Sequence, residues 1–256
     1  MDQLIHGLPV VSGPQWPGVR YFCTTRGGGA GVAPHDTLNL GLRAGDQPGT
    51  VLENRRRIRA AVPSDPLWLR QVHGADVVDA DVVDADGTPT DEPAADASVT
   101  AARGRVLAIM VADCLPVVIT DLDGTVVGAA HAGWRGLAAG VLERTLDSLR
   151  AKAPGARGWR AWVGPGIGPG AFEVGADVRA AFEPDGSEAM ARFTPRPGLP
   201  GKWLADLPAL ALLRLRRAGV DDAQASGLCT VSDPGRFFSY RRDGVTGRMA
   251  LLAWRV

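Results

Sequence analysis

The order of hydrophobic and polar positions along the chain predicts three amphipathic helices among a series of short strands. Apolar residues recur with helical spacing over Thr50–Val62, Leu137–Leu149 and Leu204–Ala218. Runs rich in β-branched and aromatic residues predict strands at Val19–Thr24, Val77–Val83, Val106–Val111, Leu115–Thr120, Thr125–Ala130, Arg160–Val163 and Arg248–Trp254. Strands interleaved with helices indicate an α+β or mixed α/β fold, in which mixed β-sheets are covered by helices.

Two polar segments interrupt this pattern. Residues 84–98 are acidic, contain proline and have few large apolar side chains, whereas residues 184–202 contain several prolines and glycines. Both compositions are typical of exposed loops. Because the clearest strand predictions lie between them, neither segment is expected to link separate cores, and we predict a single domain over residues 1–256.

Composition and charge narrow the class of protein. The 256 residues suffice for a sizeable core, and 45% hydrophobic with 22% charged residues is typical of a globular domain. Basic and acidic residues number 28 each, which gives a formal net charge of zero. Nucleic-acid-binding proteins normally carry a basic excess, so no nucleic acid partner is expected.

Targeting and redox features indicate a cytoplasmic protein. The N-terminal residues lack the basic and apolar regions of a signal peptide, and the most apolar stretch, Leu107–Ile119, is too short to span a membrane. Cys23, Cys114 and Cys229 are odd in number and far apart, which argues against a disulfide framework. We therefore expect a reducing compartment and no membrane partner.

The candidate chemistry lies on a predicted β-hairpin. Asp123-Gly124 between two β-branched runs is a strong hairpin signal, and a two-residue loop there sets the register of the flanking strands. His131 then lies opposite Pro116, and Cys114 lies two positions away on the same face of the hairpin. A thiol and an imidazole are therefore expected side by side at its open end.

Such a pair has two chemical uses. His131 could act as the base for a Cys114 nucleophile. Alternatively, both residues could belong to a set of three zinc ligands that leaves the fourth position for water. The third ligand would then be His6, His35 or His73. Taken alone, a cysteine beside an apolar strand is more often a small buried side chain, so the functional interpretation depends on the hairpin register.

Two glycine-containing segments are candidate anion-binding loops. His131–Gly136 precedes the helix predicted from Leu137, and the free amides of a helix N-terminus bind anions. Arg135 would add a guanidinium fork to that site. Thr24–Gly29 offers Arg26 in a second such loop. An ordinary strand-to-helix turn and a hairpin tip explain the two segments equally well.

Three later segments add candidates for a ligand pocket. Gly164–Gly170 lacks the third glycine of a dinucleotide fingerprint and the lysine of a P-loop, and is expected to form a rigid turn that lines a pocket. Glu173 follows this turn and is a candidate general acid or base. Phe237–Gly244, which includes Arg241, either clamps a flat ligand or ends a core strand at a turn.

Several segments resemble the YfiH-like, laccase-domain family and occur in the family's order over most of the chain. The matching segments are Thr37–Gly41 with Gly45-Asp46, Gln71–Gly74, Ala95–Ala97, Ala112–Val117, His131–Gly136, Gly164-Pro165 with Ile167-Gly168, Phe172–Val174, and Phe238–Asp243 with Thr246–Arg248. Residues Gly29–Asp36 depart from the family, which usually has a serine-containing segment there.

The resemblance implies a single domain of layered mixed β-sheets between helices, with a zinc cofactor on His73, Cys114 and His131. It also implies phosphorolysis of adenosine, inosine and methylthioadenosine, and hydrolytic deamination of adenosine. The partners are then a nucleoside and phosphate, and the protein is expected to be a monomer or a small homo-oligomer. Candidate catalytic residues are His73, Cys114, His131 and Arg135, and candidate substrate-binding residues are Arg26, Asn39, Gln71, Glu173 and Arg241.

Other activities have been associated with the same family. An older label is multicopper polyphenol oxidase, but a blue-copper site alone uses two histidines and a cysteine. The chain has 4 histidines, which leaves too few for a trinuclear copper cluster. Some members have been linked to amidase-like editing of peptidoglycan precursors. A metal-free amidase using Cys114 and His131, and a non-catalytic nucleoside-binding protein, therefore stay open as alternatives.

Overall fold

The computed structural model of the chain describes its helices and strands over residues 1–83, 92–220 and 222–256. The strands in these ranges are β1 (Asp2–Ile5), β2 (Leu8–Val11), β3 (Val19–Thr24), β4 (Val77–Asp79), β5 (Ala97–Thr100), β6 (Leu107–Val111), β7 (Leu115–Asp121), β8 (Val127–Ala132), β9 (Trp159–Val163), β10 (Glu173–Val174), β11 (Phe193–Pro195), β12 (Trp203–Ala205), β13 (Asp222–Ala225) and β14 (Met249–Arg255). The helices are α1 (Pro48–Ala60), α2 (Trp134–Ala138), α3 (Val141–Lys152), α4 (Ala176–Ala181), α5 (Gly186–Met190), α6 (Leu207–Arg217) and α7 (Tyr240–Asp243), with a 3₁₀ turn at Glu183–Asp185. None of the helices in these ranges is long and apolar enough to cross a membrane.

Two large sheets form the centre of the fold. The first is antiparallel, with the strand order β1-β2-β3-β14-β6. The second is mixed, with the order β13-β9-β7-β8-β5-β4, in which the two edge strands β13 and β4 run parallel to their neighbours. A small antiparallel sheet of β10, β12 and β11 accompanies them.

The two large sheets pack face to face and are covered by helices on their outer sides. Ile109 and Leu251 of the first sheet share a buried cluster with Val118 and Trp162 of the second. On the outer face of the first sheet, Ile58 of α1 belongs to a separate cluster. On the outer face of the second sheet, apolar residues of α3 and α6 form the largest cluster. This arrangement confirms the predicted α+β fold of layered mixed sheets between helices.

The predicted helices differ from the observed ones at their ends, because proline, glycine and capping residues determine where each helix begins and ends. Helix α1 begins at Pro48, a residue whose fixed φ suits the first helical turn. The predicted helix at 137–149 is two helices, because Gly140 takes a left-handed φ of 87° between α2 and α3. Leu204 belongs to β12, and α6 starts only after Asp206, whose carboxylate caps the helix by accepting from the Ala209 amide at 2.9 Å.

The prediction of an exposed loop over residues 84–98 is wrong for the part that the structure describes. Residues 84–91 lie outside the described residues, while Glu92 and Asp96 are buried and Ala97 begins β5. The two acidic side chains are buried because each is paired: Glu92 binds two arginines, and Asp96 binds an imidazole and backbone amides. The second predicted loop, residues 184–202, also contains α5 and β11.

The β7–β8 hairpin has the predicted register but a wider turn. Pro116 pairs with His131, as predicted, and the ladder continues to Thr120 opposite Val127. The predicted two-residue loop is wrong, because the Asp121 carboxylate accepts from the Thr125 amide at 2.6 Å and from the Val126 amide at 3.1 Å. These side-chain bonds replace the last rung of the ladder without changing the register.

A buried asparagine on α1 holds the loop that precedes this helix. The Asn54 amide nitrogen donates to the carbonyl oxygens of Thr37 at 3.1 Å and Asn39 at 2.9 Å, and its oxygen accepts from the Ala30 amide at 2.9 Å. Asn54 therefore ties three points of this segment to α1.

We predict that Asn54→Ala lowers the free energy of unfolding by about 2–4 kcal/mol, because buried carbonyl and amide groups lose their partners. Urea denaturation followed by circular dichroism measures the change. Leu52→Ala on the same helix is the control, since Leu52 is 44% exposed, and it should cost less than about 1 kcal/mol. Equal losses in the two variants would contradict the role given to Asn54.

Candidate active site

A cavity of ≈ 510 Å³ opens beside the connection between β6 and β7. Its volume is in the range of small-molecule sites. The lining residues are Gly41, Leu42, Arg43, Ala44, Leu69, Arg70, Gln71, His73, Met110, Val111, Ala112, Asp113, Cys114, His131, Ile167, Phe172, Tyr240, Arg241 and Arg248. The glycine-rich turn after β9 contributes Ile167, in agreement with the prediction that it lines a pocket.

Three potential metal ligands meet in this cavity. The ligand atoms of His73, Cys114 and His131 all lie within 4.8 Å of one another. The two imidazole rings meet edge to face, with centroids 4.8 Å apart. Of the three histidines that the sequence left open as third ligand, His73 is therefore the one beside the hairpin pair. His35 instead contacts the Ala44 carbonyl oxygen at 2.9 Å.

The Asp96 carboxylate orients both histidines. One of its oxygens contacts Nδ1 of His131 at 2.8 Å, which leaves Nε2 as the ring nitrogen free for a metal. The same carboxylate accepts from three successive backbone amides, those of Val72, His73 and Gly74, at 2.7–3.1 Å. His73 has a φ of 60°, a region that few non-glycine residues occupy. The bonds to Asp96 hold the backbone in this conformation.

The electrostatics of the cluster favour a thiolate. Burial by itself raises the pKa of the Cys114 thiol, but the neighbouring imidazoles of His131 and His73 outweigh it and lower that pKa. Burial likewise lowers the pKa of His131, while the Cys114 sulfur and the Asp96 carboxylate raise it above its ordinary value. A metal ion needs the thiolate form of cysteine, so this environment prepares Cys114 for coordination.

The donor set fits a divalent transition metal. Two imidazoles and one thiolate form a known three-ligand set that leaves a coordination position open, and all three side chains line the cavity. A carboxylate behind a ligating histidine, as Asp96 stands behind His131, is the usual support of such a site. Among the described residues no second group of three or more such side chains is close enough to hold a metal ion.

Gly133 has no side chain, and the metal-ligand cluster occupies the space where a side chain would lie. A Cβ atom at this position would lie 2.8 Å from the Cys114 sulfur and 3.3 Å from Cδ2 of His73. Gly133 has an ordinary φ of −67°, so the requirement for glycine here is one of space and not of backbone conformation.

Asp113 connects the cluster to the last helix of the chain. This residue has a φ of 89°, and its carboxylate accepts from the Thr230 hydroxyl and from the Arg241 amide, both at 2.6 Å. Arg241 stands at the start of α7, which also carries Tyr240 over the cavity. Asp113 thus connects neighbouring segments and is not one of the three potential metal ligands.

Of the residues predicted to bind substrate, two line the cavity. Gln71 does so with its amide already paired to the backbone of Met110, at 2.8 and 2.7 Å. Arg241 does so while donating to the Glu173 carbonyl oxygen at 2.9 Å.

The other predicted residues are not among the described residues that line the cavity. Arg26 binds Asp36, and the side chain of Glu173 binds Arg196. Asn39 is fully buried, and its contacts are all within the protein. Arg135 is exposed and stacks on its neighbour Trp134. It lies inside the five-residue helix α2, which begins three residues before the predicted helix start.

Sequence reasoning gave no role to two residues that the site depends on. Asp96 was part of a family motif, and an acidic residue beside an apolar strand start was the signal that could have pointed to it. Arg248 also stood in a family motif, at the start of the predicted C-terminal strand, and it lines the cavity.

Asp96→Asn should weaken zinc binding about 10- to 100-fold, because the neutral amide no longer fixes the tautomer of His131 or the charge balance of the site. Competition titration with a chromophoric chelator measures the affinity. Asp76→Asn is the control, because Asp76 follows the His73-Gly74 segment closely in sequence and its side chain is 79% exposed. Unchanged affinity in the Asp96 variant would show that the carboxylate does not support the metal ligands.

Gly133→Ala should reduce zinc binding at least about tenfold while the chain stays folded, since the added methyl group overlaps the Cys114 sulfur. Metal analysis after gel filtration and circular dichroism give the two measurements. Gly155→Ala provides a control, because a Cβ there meets nothing within 4 Å. If the Gly133 variant bound zinc like the Gly155 variant, the ligand arrangement would be wrong.

Comparison with known proteins agrees with the motifs and the geometry. The model of the family described as multi-copper polyphenol oxidoreductase laccase matches residues 20–256. A purine nucleoside phosphorylase of Pseudomonas aeruginosa is 50% identical over 244 residues, which are 94% of this chain and 96% of the relative. The purine nucleoside phosphorylase YfiH of Escherichia coli is 47% identical over 248 residues, covering 95% and 98%.

Solved structures show the same fold. A Neisseria meningitidis protein matches with a TM-score of 0.87 at 43% identity, covering 96% of this chain and 98% of that one. YlmD from Geobacillus stearothermophilus matches with a TM-score of 0.86 at 32% identity, covering 97% and 96%. The chain therefore belongs to the YfiH-like family described by the multi-copper polyphenol oxidoreductase laccase model.

Proposed function

We propose that the chain is a zinc-dependent purine nucleoside phosphorylase that acts on adenosine, inosine and methylthioadenosine and also deaminates adenosine. The observation that carries this proposal is the His73–Cys114–His131 cluster, which opens into a cavity large enough for a nucleoside and lined by several arginines. Relatives that are about half identical over nearly the whole chain carry the name purine nucleoside phosphorylase.

Zinc is the metal that the donor set and the histidine count favour. Two imidazoles and a thiolate with one open position suit catalytic zinc, whereas a multicopper oxidase needs further histidines for a trinuclear cluster. His6 is the remaining histidine beside His35 and the two ligands, and it stands on the exposed β1–β2 turn. A zinc ion on this cluster would supply a Lewis acid at the cavity wall.

The phosphorolysis that we propose balances without any further reactant. An oxygen of hydrogen phosphate forms a bond to C1′ of the ribose as the bond from C1′ to the purine nitrogen breaks. The bonding electrons leave with the purine, which takes the proton of hydrogen phosphate, and ribose 1-phosphate is the second product. Deamination consumes one water and releases ammonia as adenosine becomes inosine.

Within this proposal the chain's own residues have defined tasks. His73, Cys114 and His131 hold the metal, and Asp96 fixes the two histidines. Arg241, tied through its backbone to Asp113, provides positive charge at the cavity mouth. The exposed Tyr240 and the buried Phe172 both line the cavity and would pack against the flat purine.

A second candidate function is a metal-free amidase. One observation favours it: Asp96, His131 and Cys114 form an acid, base and nucleophile series, with the imidazole oriented by the carboxylate and the pKa of the thiol lowered. In this case Cys114 would attack an amide carbonyl directly. A chelator would leave such an enzyme active, while a thiol alkylator would abolish its activity.

The decisive experiment is product analysis by chromatography. The protein is incubated with adenosine, inosine or methylthioadenosine, with and without phosphate, before and after zinc removal. We expect free base and ribose 1-phosphate, or its methylthio analogue, only with both phosphate and zinc, and inosine from adenosine without phosphate. Zinc removal should lower each rate at least about 100-fold, and zinc return should restore it.

Cys114→Ala tests the assignment of the cluster, with Cys229→Ala as the matched control outside the lining residues. The Cys114 variant should lose both zinc and turnover, because the ligand set falls to two imidazoles, while the Cys229 variant keeps both. Normal zinc content and normal turnover in the Cys114 variant would refute the assignment. Activity that survives chelation but not alkylation would support the amidase instead.

A further inference from the structure

Four arginines line the cavity, but they differ in how they are engaged. Arg43 is bound to the buried carboxylate of Glu92, which it shares with Arg55. Arg241 is exposed and donates to backbone carbonyl oxygens. Arg70 is exposed at the rim, where water screens its charge. Arg248 is the fourth, and its surroundings are different.

Arg248 is a half-buried cation without an anionic partner. Over the described parts of the chain, no carboxylate lies within ion-pairing distance of its guanidinium. One terminal nitrogen donates to the carbonyl oxygens of Thr246 at 2.9 Å and Gly247 at 3.0 Å. The remaining donors of the fork have no protein acceptor there. A desolvated guanidinium with free donors binds an oxyanion more strongly than an exposed one does.

The first sheet places Arg248 close to the metal cluster. Val111 at the end of β6 pairs with Met249 at the start of β14, so Arg248 lies next to Ala112 across the ladder. Cys114 follows two residues later. The Cys114 sulfur and the Asp113 carboxylate are near enough to raise the pKa of Arg248, although burial, the larger effect, lowers it. An anion held by Arg248 would therefore lie beside whatever occupies the open metal position.

The Thr37–Gly41 motif holds this arginine in place. The side-chain oxygen of Asn39 accepts from the Arg248 amide at 2.8 Å and from the Gly41 amide at 3.0 Å. Leu40 donates its amide to the Arg248 carbonyl oxygen at 3.0 Å. The stem of Arg248 passes directly over Gly41, where a Cβ would lie 2.7 Å from Cγ. Asn39 thus contacts Arg248 and is itself not among the described residues that line the cavity.

We propose that Arg248 binds the attacking phosphate, and that Asn39 and Gly41 position its guanidinium for this purpose. The proposal rests on the function proposed above and gives its second substrate a location. It places phosphate inside the cavity, whereas the sequence offered Arg135 and Arg26 as candidates for anion-binding loops. Arg135 is exposed on α2, outside the described lining of the cavity.

Calorimetric titration of the zinc-loaded protein with inorganic phosphate, without nucleoside, tests the site directly. Arg248→Gln should weaken phosphate binding about 10- to 100-fold, the loss expected for a charge-assisted bidentate contact. Arg248→Lys, which keeps the charge but not the fork, should lose several-fold. Arg70→Gln and Arg135→Gln are matched comparators and should change phosphate affinity less than about threefold.

Steady-state kinetics adds a second measurement. In Arg248→Gln the phosphate KM should rise while the nucleoside KM stays within about twofold, because only one substrate loses its contact. Zinc content and the urea midpoint confirm that the variant is folded and loaded. If it does not fold, Gly41→Ala replaces it, since the added methyl group displaces the Arg248 stem without removing its charge. The same rise in phosphate KM is expected.

The outcomes separate this inference from the proposed function. Phosphate binding that is lost in Arg248→Gln supports the site even if no nucleoside is cleaved. If Arg248→Gln still carries out phosphorolysis with an unchanged phosphate affinity and an unchanged phosphate KM, the site is wrong and the proposed function stands. A wild-type protein that does not bind phosphate, or a larger effect of Arg70→Gln or Arg135→Gln, overturns the site as well.

Discussion

The buried carboxylate of Asp96 is the interaction on which the site depends. Strand pairing brings it there: Ala97 of β5 faces Ala130 of β8, so Asp96 lies beside His131. A carboxylate taken out of water carries a high desolvation cost unless each oxygen is hydrogen-bonded. Here one imidazole and three backbone amides provide those bonds. Satisfying this one group therefore fixes the His131 ring and the loop of His73 together.

The sequence predicts the parts of the fold that local rules control. The register of β7 and β8 follows from the turn between them, and with it the closeness of Cys114 to His131. The layered sheets between helices follow from the alternation of strand and helix patterns. The break at Gly140 was missed, since apolar spacing alone does not show where a glycine takes a left-handed conformation.

The rest of the site depends on contacts between distant parts of the chain, which no local pattern reveals. Asp96 and His131 are 35 positions apart, and the bond from Arg248 to Asn39 spans 209. Acidic residues were expected at the surface, and their burial required partners on other elements. For the same reason Arg135 looked suitable for an anion from its neighbours in sequence, whereas tertiary packing leaves it exposed.

The cavity lies across the junction of the two large sheets. His131 belongs to the second sheet and Cys114 directly precedes β7 of that sheet, whereas Arg248 leads into β14 of the first. The buried layer between the sheets, which includes Val118 and Trp162, therefore acts as a spacer that sets the separation of the metal cluster from the arginine. Packed sheets stand about 10 Å apart and resist compression. Substitutions in this layer would consequently change the distance between the metal cluster and the Arg248 guanidinium without altering any residue of the site.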